Sequence, residues 1–229
     1  MKYRWVLFDV DGTLFDYDKA EGAALRRTFE QLGCGYEPCL ADLYRQINGR
    51  LWLDFEQGRI EAVRLRSRRF ELLFEAIELD CSAELFGSRY LENLALGTDL
   101  VDGAEHVVGA LYGKVGLALI TNGFAEVQRP RLARSALRTY FGDPVISEEV
   151  GAAKPDARIF DVAFERMEAP SRDHVLMVGD SLVTDIQGGN DYGIDTCWFN
   201  PSRRSNELGI KARYESEHLS ELLELVSAA

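Results

Sequence analysis

The sequence is short of basic residues. Its 229 residues include 26 Lys and Arg against 38 Asp and Glu, which gives a formal net charge of −12. A protein that binds nucleic acid polymers needs a basic surface, so this charge balance argues against a general nucleic-acid binder. A small anionic substrate stays possible, because a local site or a bound cation can reverse the field.

Cysteines and long apolar runs are also scarce. The four cysteines form no C-x-x-C pair, which favours reduced thiols in the cytosol over a disulfide scaffold or a zinc site. The apolar run near the start is too short for a signal peptide or a membrane span. We therefore expect a cytoplasmic protein that does not enter a membrane.

Several catalytic signatures are missing. The sequence has no G-x-x-x-x-G-K-[ST], no G-x-S-x-G and no H-E-x-x-H. Their absence argues against a P-loop ATPase, the common serine hydrolases and the zinc proteases. No G-x-G-x-x-G follows a predicted strand, so a dinucleotide oxidoreductase is not expected.

Short apolar runs alternate with helical patterns along much of the chain. The runs that predict buried strands lie at residues 5–8, 115–120, 145–146, 175–178 and, more weakly, 194–199. Helical patterns lie near 103–113, 124–140, 156–168 and 183–192. This alternation predicts an α/β fold with a doubly wound parallel sheet. Pro130 should kink its predicted helix or mark the start of that helix.

Residues 17–95 have a different pattern. They show long stretches of helical periodicity, for example at Leu25 and Phe29, and no convincing strand. We predict that 17–95 form a helical cap domain of about four helices. The cap would be inserted into an α/β core domain made of residues 1–16 and 96–229.

Polar residues follow the predicted strands or lie in the loops after them. In chain order they are Asp9, Asp11, Thr121, Asn122, Lys154, Asp180 and Asp185. Parallel strands bring their carboxyl ends to one edge of the sheet, so these side chains should share a site. The carboxylates would repel one another unless a cation lay among them. Oxygen ligands without nearby His or Cys indicate Mg²⁺.

Four short motifs carry these residues. They are D-V-D-G-T from Asp9, T-N-G from Thr121, K-P-D from Lys154, and G-D-S from Gly179 with Asp185 beyond it. In order and spacing they resemble the motifs of the haloacid dehalogenase (HAD) superfamily, over essentially the whole chain. The helical insert resembles the C1-type cap of that superfamily. The resemblance implies a HAD-like, Rossmann-like core with an inserted cap.

The resemblance also implies a role for each residue. Asp9 would be the nucleophile that forms an aspartyl-phosphate, and Asp11 would act as general acid and then as general base. Thr121, the backbone N–H of Asn122 and Lys154 would hold the phosphoryl oxygens. The implied magnesium ligands are Asp9, the Asp11 carbonyl, Asp180 and Asp185. Because the similar 2-haloacid dehalogenases lack the second acid, Asp11 favours phosphate ester hydrolysis.

A narrower resemblance rests on longer stretches. They lie at residues 48–58, 120–124, 145–151 and 197–200, and they look like those of the YjjG-type pyrimidine 5′-nucleotidases. This implies a Mg²⁺-dependent phosphatase for pyrimidine nucleoside monophosphates such as dUMP, dTMP and UMP. We expect the cap to select the substrate. Trp52 either packs in the core of the cap or stacks on the base, and Asn48 or Arg68 would bond to the polar edge of the base.

Other activities stay open from the sequence. The nearest alternative is a phosphatase of the same fold that acts on phosphoglycolate or a sugar phosphate. A non-catalytic member that binds a nucleotide or a protein through its cap is a different class. A phosphomutase has less support, because no cap feature would retain an intermediate. The sequence leaves the oligomeric state open between a monomer and a homodimer.

Overall fold

The computed structural model describes residues 2–228. It divides into two compact units. Met1–Tyr17 and Thr98–Ala229 form the first, here named the core unit, and Asp18–Gly97 form the second, here named the cap unit. Among the described residues, no helix combines the length and the apolar character that crossing a bilayer requires.

A parallel sheet forms the centre of the core unit. Its six strands within residues 2–228 are β1 (Trp5–Phe8), β2 (Gly116–Thr121), β3 (Val145–Ile146), β4 (Val175–Gly179), β5 (Asp195–Phe199) and β6 (Tyr214–Ser216). Their order across the sheet is β3-β2-β1-β4-β5-β6, and every neighbouring pair is parallel. The predicted α/β fold with a doubly wound sheet is confirmed.

Strand β1 lies in the middle of this sheet. Leu7 pairs with Ala118 of β2 on one side and with Met177 of β4 on the other. Successive side chains point to opposite faces, so Phe8 packs in one apolar cluster and Leu7 in another. Because both faces are covered, the strand is a continuous apolar run rather than an alternating one.

The cap unit is helical. Its helices, all within the described residues, are α1 (Tyr17–Gln31), α2 (Cys39–Glu56), α3 (Ala62–Ile77) and α4 (Ala83–Leu94); the first residue of α1 belongs to the core unit. Aromatic rings hold them together: the ring centroid of Phe70 lies 5.4 Å from that of Tyr44 and 4.9 Å from that of Phe86. The Ser82 hydroxyl caps α4 by accepting a hydrogen bond from the Leu85 N–H.

Helices also accompany the strands of the core unit. They are α5 (Ala104–Leu111), α6 (Ala125–Arg134), α7 (Ser147–Val150), α8 (Ala157–Arg166), α9 (Gly188–Tyr192) and α10 (Leu222–Ala228). Helix α6 begins before Pro130, so the proline does not mark its start. A π-helical segment, Leu182–Gln187, precedes α9. Such segments often occur at functional sites.

Candidate active site

The loop after β1 carries the first two acidic residues. The Asp9 N–H donates to the Val178 carbonyl (2.9 Å), which fixes Asp9 beside the end of β4. Gly12 has φ +84°, and a Cβ there would lie 2.9 Å from Cγ of Asp180. Glycine is therefore needed at this position both for the turn and for the approach of Asp180. The Thr13 hydroxyl donates to Asp9 Oδ2 at 3.2 Å.

Three carboxylates converge at this edge of the sheet. One oxygen each of Asp9, Asp180 and Asp185 lie within 4.8 Å of one another. Asp9 and Asp185 are buried, whereas Asp180 is half-buried. Gly179, at the end of β4, makes room for this arrangement, because a Cβ there would overlap the Asp185 carboxylate.

Lys154 lies between two of these acids. Its Nζ donates to Asp9 Oδ1 and to Asp185 Oδ1, both at 2.6 Å, and to the Ile120 carbonyl at 3.1 Å. The side chain is buried, and these acceptors satisfy all the donors of an ammonium group. Burial lowers the pKa of Lys154, but the charges of Asp185 and Asp9 outweigh burial and raise it. The lysine is therefore cationic.

The acids carry more charge than Lys154 neutralises. Burial raises the pKa of Asp9 well above its usual value; Lys154 opposes this shift, and the charges of Asp185 and Asp180 add to it. Burial, with the charge of Asp185, raises the pKa of Asp180 to about 6 against the opposing charge of Arg204. A hard divalent cation would relieve this repulsion, and a set of carboxylate oxygens is the ligand set that such a cation prefers. The three acids therefore fit a metal site.

The Asn122 side chain joins two of the motifs. Its Nδ2 donates to the Lys154 carbonyl at 2.8 Å, and its Oδ1 accepts from the Lys154 N–H at 2.7 Å. These two bonds tie the end of β2 to the loop that carries the buried lysine. Thr121, the last residue of β2, is also buried. Phosphate binding by Thr121, by the Asn122 N–H and by Lys154 stays a prediction.

The Asp11 carboxylate is hydrogen-bonded to two side chains of α6. Gln128 Nε2 donates to Asp11 Oδ2 at 2.5 Å, and Arg131 Nη1 donates to Asp11 Oδ1. No sequence motif predicts these two partners. Their spacing of three residues places both on one face of α6, but that spacing alone does not show that the face packs beside Asp11. Metal ligation through the Asp11 carbonyl does not depend on this orientation.

The loop after β5 contributes one more charged group. Arg204 Nη2 donates to the Asp180 carbonyl at 2.7 Å and to Asp180 Oδ2 at 3.4 Å. The indole Nε1 of Trp198 donates to the same carbonyl at 3.0 Å. Two donors therefore hold the Asp180 backbone in place. An exposed arginine in a loop gives no sequence pattern from which this contact follows.

Comparison with known proteins identifies the family. The sequence model described as haloacid dehalogenase-like hydrolase matches residues 3–193. The chain belongs to the haloacid dehalogenase-like hydrolases. The predicted resemblance to this superfamily is confirmed, and the protein is an enzyme that carries out hydrolysis.

Relatives of this hydrolase match it over almost their whole length. It is 37% identical to pyrimidine 5′-nucleotidase YjjG of Escherichia coli (strain K12), over 99% of each chain. It is 35% identical to pyrimidine 5′-nucleotidase PynA of Streptococcus pneumoniae (strain ATCC BAA-255 / R6), over 98% of this chain and 95% of that one. The magnesium-bound crystal structure of the HAD-hydrolase YfnB from Bacillus subtilis superposes with a TM-score of 0.93 at 36% identity, covering 99% of both chains.

Within the cap unit of this hydrolase, Asn48 is buried. Its Nδ2 donates to Glu21 Oε1 at 2.9 Å, and its Oδ1 accepts from Arg69 Nη1 at 3.4 Å. Arg69 is buried as well, over the rings of Phe70 and Tyr90. The Asn48 amide therefore already has protein partners inside the cap unit.

The other two predicted specificity residues have different surroundings. Arg68 forms ion pairs along α3 with Glu71 (2.9 Å) and Glu75 (3.6 Å). Consecutive residues of an α-helix point about 100° apart, so α3 directs Arg69, and not Arg68, to Asn48. Trp52 is half-buried, and its ring meets that of Phe55 edge-on at 5.5 Å. The specificity role of these residues stays a prediction.

Proposed function

We propose that this hydrolase is a Mg²⁺-dependent phosphatase that acts on pyrimidine nucleoside 5′-monophosphates such as dUMP, dTMP and UMP. The observation that carries the proposal is the buried Lys154 ammonium, 2.6 Å from both Asp9 and Asp185 and beside Asp180. This arrangement combines a fixed carboxylate with the positive charge that phosphoryl transfer requires. The names of the relatives YjjG and PynA support the substrate class.

Asp9 is the nucleophile in this proposal. Its oxygen attacks phosphorus, the bond to the leaving oxygen breaks, and an aspartyl-phosphate forms. Lys154 and Thr13 each donate to one oxygen of Asp9, so they hold the carboxylate in a single orientation. Thr121 and the Asn122 N–H bind the oxygens of the transferring group. Most of the catalytic effect then comes from positioning and charge neutralisation.

Asp11 moves the protons in this proposal. It protonates the leaving alcohol oxygen in the first step. In the second step it takes a proton from a water molecule, whose oxygen attacks the aspartyl-phosphate. Inorganic phosphate is released and the Asp9 carboxylate is restored. Positioned proton transfer of this kind is worth roughly 10²–10⁴-fold in rate.

Asp9, the Asp11 carbonyl, Asp180 and Asp185 would hold a Mg²⁺ ion. When bound, Mg²⁺ supplies positive charge that offsets these acids and the oxygens of the phosphoryl group. Two features of the chain support this ligand set. Gly12 and Gly179 leave space for the carboxylates of Asp180 and Asp185, and Arg204 fixes the Asp180 backbone.

Removal of divalent cations tests the metal site. We expect EDTA to abolish phosphate ester hydrolysis and added Mg²⁺ to restore it. We also expect Mg²⁺ to raise the melting temperature, because an ion that binds only the folded state stabilises that state. Both quantities are measured on the same sample, with Asp180→Asn as the variant that should respond less to Mg²⁺. Full activity in EDTA would contradict the metal site.

A substrate panel tests the proposed activity. Phosphate release is measured with Mg²⁺ for nucleoside monophosphates, phosphoglycolate, sugar phosphates and p-nitrophenyl phosphate at matched concentrations. We expect the highest kcat/KM with dUMP among these esters. A higher value with phosphoglycolate or a sugar phosphate would instead establish the alternative substrate class. If the protein hydrolysed none of these esters, that result would contradict a catalytic role.

The same panel on Trp52→Ala tests the cap residues. Stacking of a base on an aromatic ring is worth about 1–3 kcal/mol, so kcat/KM for dUMP should fall about 5- to 150-fold relative to p-nitrophenyl phosphate. Leu53→Ala, at the exposed neighbouring position of α2, is the matched control. An unchanged ratio in Trp52→Ala would remove the stacking hypothesis.

A further inference from the structure

Two buried polar residues of α6 have no part in the reaction described above. Gln128 is 4% exposed and Arg131 is 0% exposed. Gln128 donates to one oxygen of the Asp11 carboxylate and Arg131 donates to the other. A single helix face therefore supplies a donor to each oxygen of the proposed acid and base.

Other groups fix these two donors in turn. The Gln128 amide packs against Gly123, where a Cβ would lie 2.7 Å from Gln128 Nε2. The Arg131 guanidinium lies 4.8 Å from the ring centroid of Phe15. Phe15 belongs to the loop that carries Asp11, since its carbonyl accepts from the Gly12 N–H at 2.9 Å. The carboxylate, its donors and their supports thus form one continuous packed group.

The buried position of the Gln128 and Arg131 side chains is unfavourable in itself. Taking a polar amide or a guanidinium out of water is costly unless each makes specific hydrogen bonds. An apolar side chain on this face of α6 would be buried without that cost. The structure instead directs a neutral donor and a charged donor to one carboxylate, which indicates a role at Asp11.

We propose that Gln128 and Arg131 are positioning residues that hold the Asp11 carboxylate in the orientation for proton transfer. This inference rests on the proposed phosphatase function. A carboxylate offers about four acceptor positions, and the two donors take one on each oxygen. The remaining positions are open to the transferred proton and to the leaving oxygen or the water. Gln128 and Arg131 themselves exchange no proton.

A comparison of two esters of similar shape distinguishes an effect on proton transfer from effects on the other steps. p-Nitrophenolate leaves as a stable anion and needs little help from an acid, whereas the more basic phenolate gains from protonation. The ratio of kcat/KM for phenyl phosphate to that for p-nitrophenyl phosphate therefore reports the proton donor. Neither ester contains a nucleoside, so this ratio does not depend on the nucleotide specificity of the enzyme.

The experiment compares Gln128→Leu, Arg131→Met and Arg131→Lys with the unaltered enzyme. We expect the ratio to fall about tenfold in Gln128→Leu and in Arg131→Met, mainly through kcat, because a misplaced proton donor slows the chemical step. Arg131→Lys should recover part of the loss, since it keeps a cationic donor. Arg134→Met, which alters an exposed arginine of the same helix, is the matched control and should keep the original ratio.

A double variant tests whether the effect passes through Asp11. In the Asp11→Asn background, Gln128→Leu should cause no further fall in the ratio, because two changes that act through one group are not additive. An unchanged ratio in Gln128→Leu, or an equal further fall in the Asp11→Asn background, would overturn the positioning role. If Arg131→Met does not fold, as judged by circular dichroism, Gln128→Leu and Arg131→Lys decide the matter.

Different results would contradict the proposed function. If Asp11→Asn keeps the original ratio, the proton-transfer role of Asp11 is wrong, and the role of its two partners is wrong with it. If the unaltered enzyme hydrolyses neither ester, the phosphatase proposal itself is wrong. Normal hydrolysis with a normal ratio in Gln128→Leu and Arg131→Met refutes only the positioning role.

Discussion

Asp9→Asn is expected to lower kcat for phosphate ester hydrolysis by about 10³-fold or more, because an amide oxygen cannot replace the attacking carboxylate. The fold should be retained. Asn has nearly the same shape as Asp, and Lys154 keeps two of its acceptors, Asp185 and the Ile120 carbonyl. Phosphate release and the melting temperature, measured on one preparation, test both expectations.

The control for this variant is Asp102→Asn, which alters an exposed acid of the core unit. It should match the unaltered enzyme in both measurements. Substantial hydrolysis by folded Asp9→Asn would contradict the assignment of the nucleophile. Loss of the folded state in Asp9→Asn would show instead that the Asp9–Lys154 ion pair is needed for stability.

Lys154→Met is expected to lose activity and stability together. The change leaves the cluster of Asp9, Asp180 and Asp185 without its buried ammonium. Removing one partner of a buried ion pair typically costs about 3–5 kcal/mol. We therefore expect the free energy of unfolding without Mg²⁺ to fall by about that amount. Mg²⁺ should recover part of the loss in stability, because the ion neutralises the same acids.

Urea unfolding with and without Mg²⁺ measures this effect, and phosphate release measures the activity. Lys114→Met, which removes an exposed lysine of the core unit, is the matched control. The role given to Lys154 would be wrong if Lys154→Met were as stable as the unaltered enzyme without Mg²⁺ and still hydrolysed phosphate esters.

The central strands could be predicted because burial leaves a simple pattern. Strands β1 and β4 are covered on both faces, so each is a short continuous apolar run. Strand β6 was missed, since it has three residues and its middle residue, Glu215, is exposed. The helix predicted at 124–140 ends at Arg134, and the Ser135 hydroxyl caps a short 3₁₀ turn after it. Helical periodicity alone does not reveal such a break.

The candidate site could be predicted in part. Sheet topology brings Asp9, Asp180 and Asp185 together, and the strand ends in the sequence already mark that edge. The partners of Asp11 could not be predicted, because they depend on how α6 packs against the loop after β1. In the cap unit, the rotation of α3 about its axis decides whether Arg68 or Arg69 reaches Asn48. A periodic sequence pattern predicts that rotation only approximately.

The paired hydrogen bonds between Asn122 and the Lys154 backbone have a consequence for the chain between them. They join residues 32 positions apart, so the position of the buried ammonium is set directly from the end of β2. The intervening helices α6 and α7, strand β3 and turns then form a loop whose two ends are joined. Changes in the length of that loop would leave the Lys154 backbone tied to the end of β2, whereas loss of the two bonds would leave the ammonium held only by its own bonds to Asp9, Asp185 and the Ile120 carbonyl.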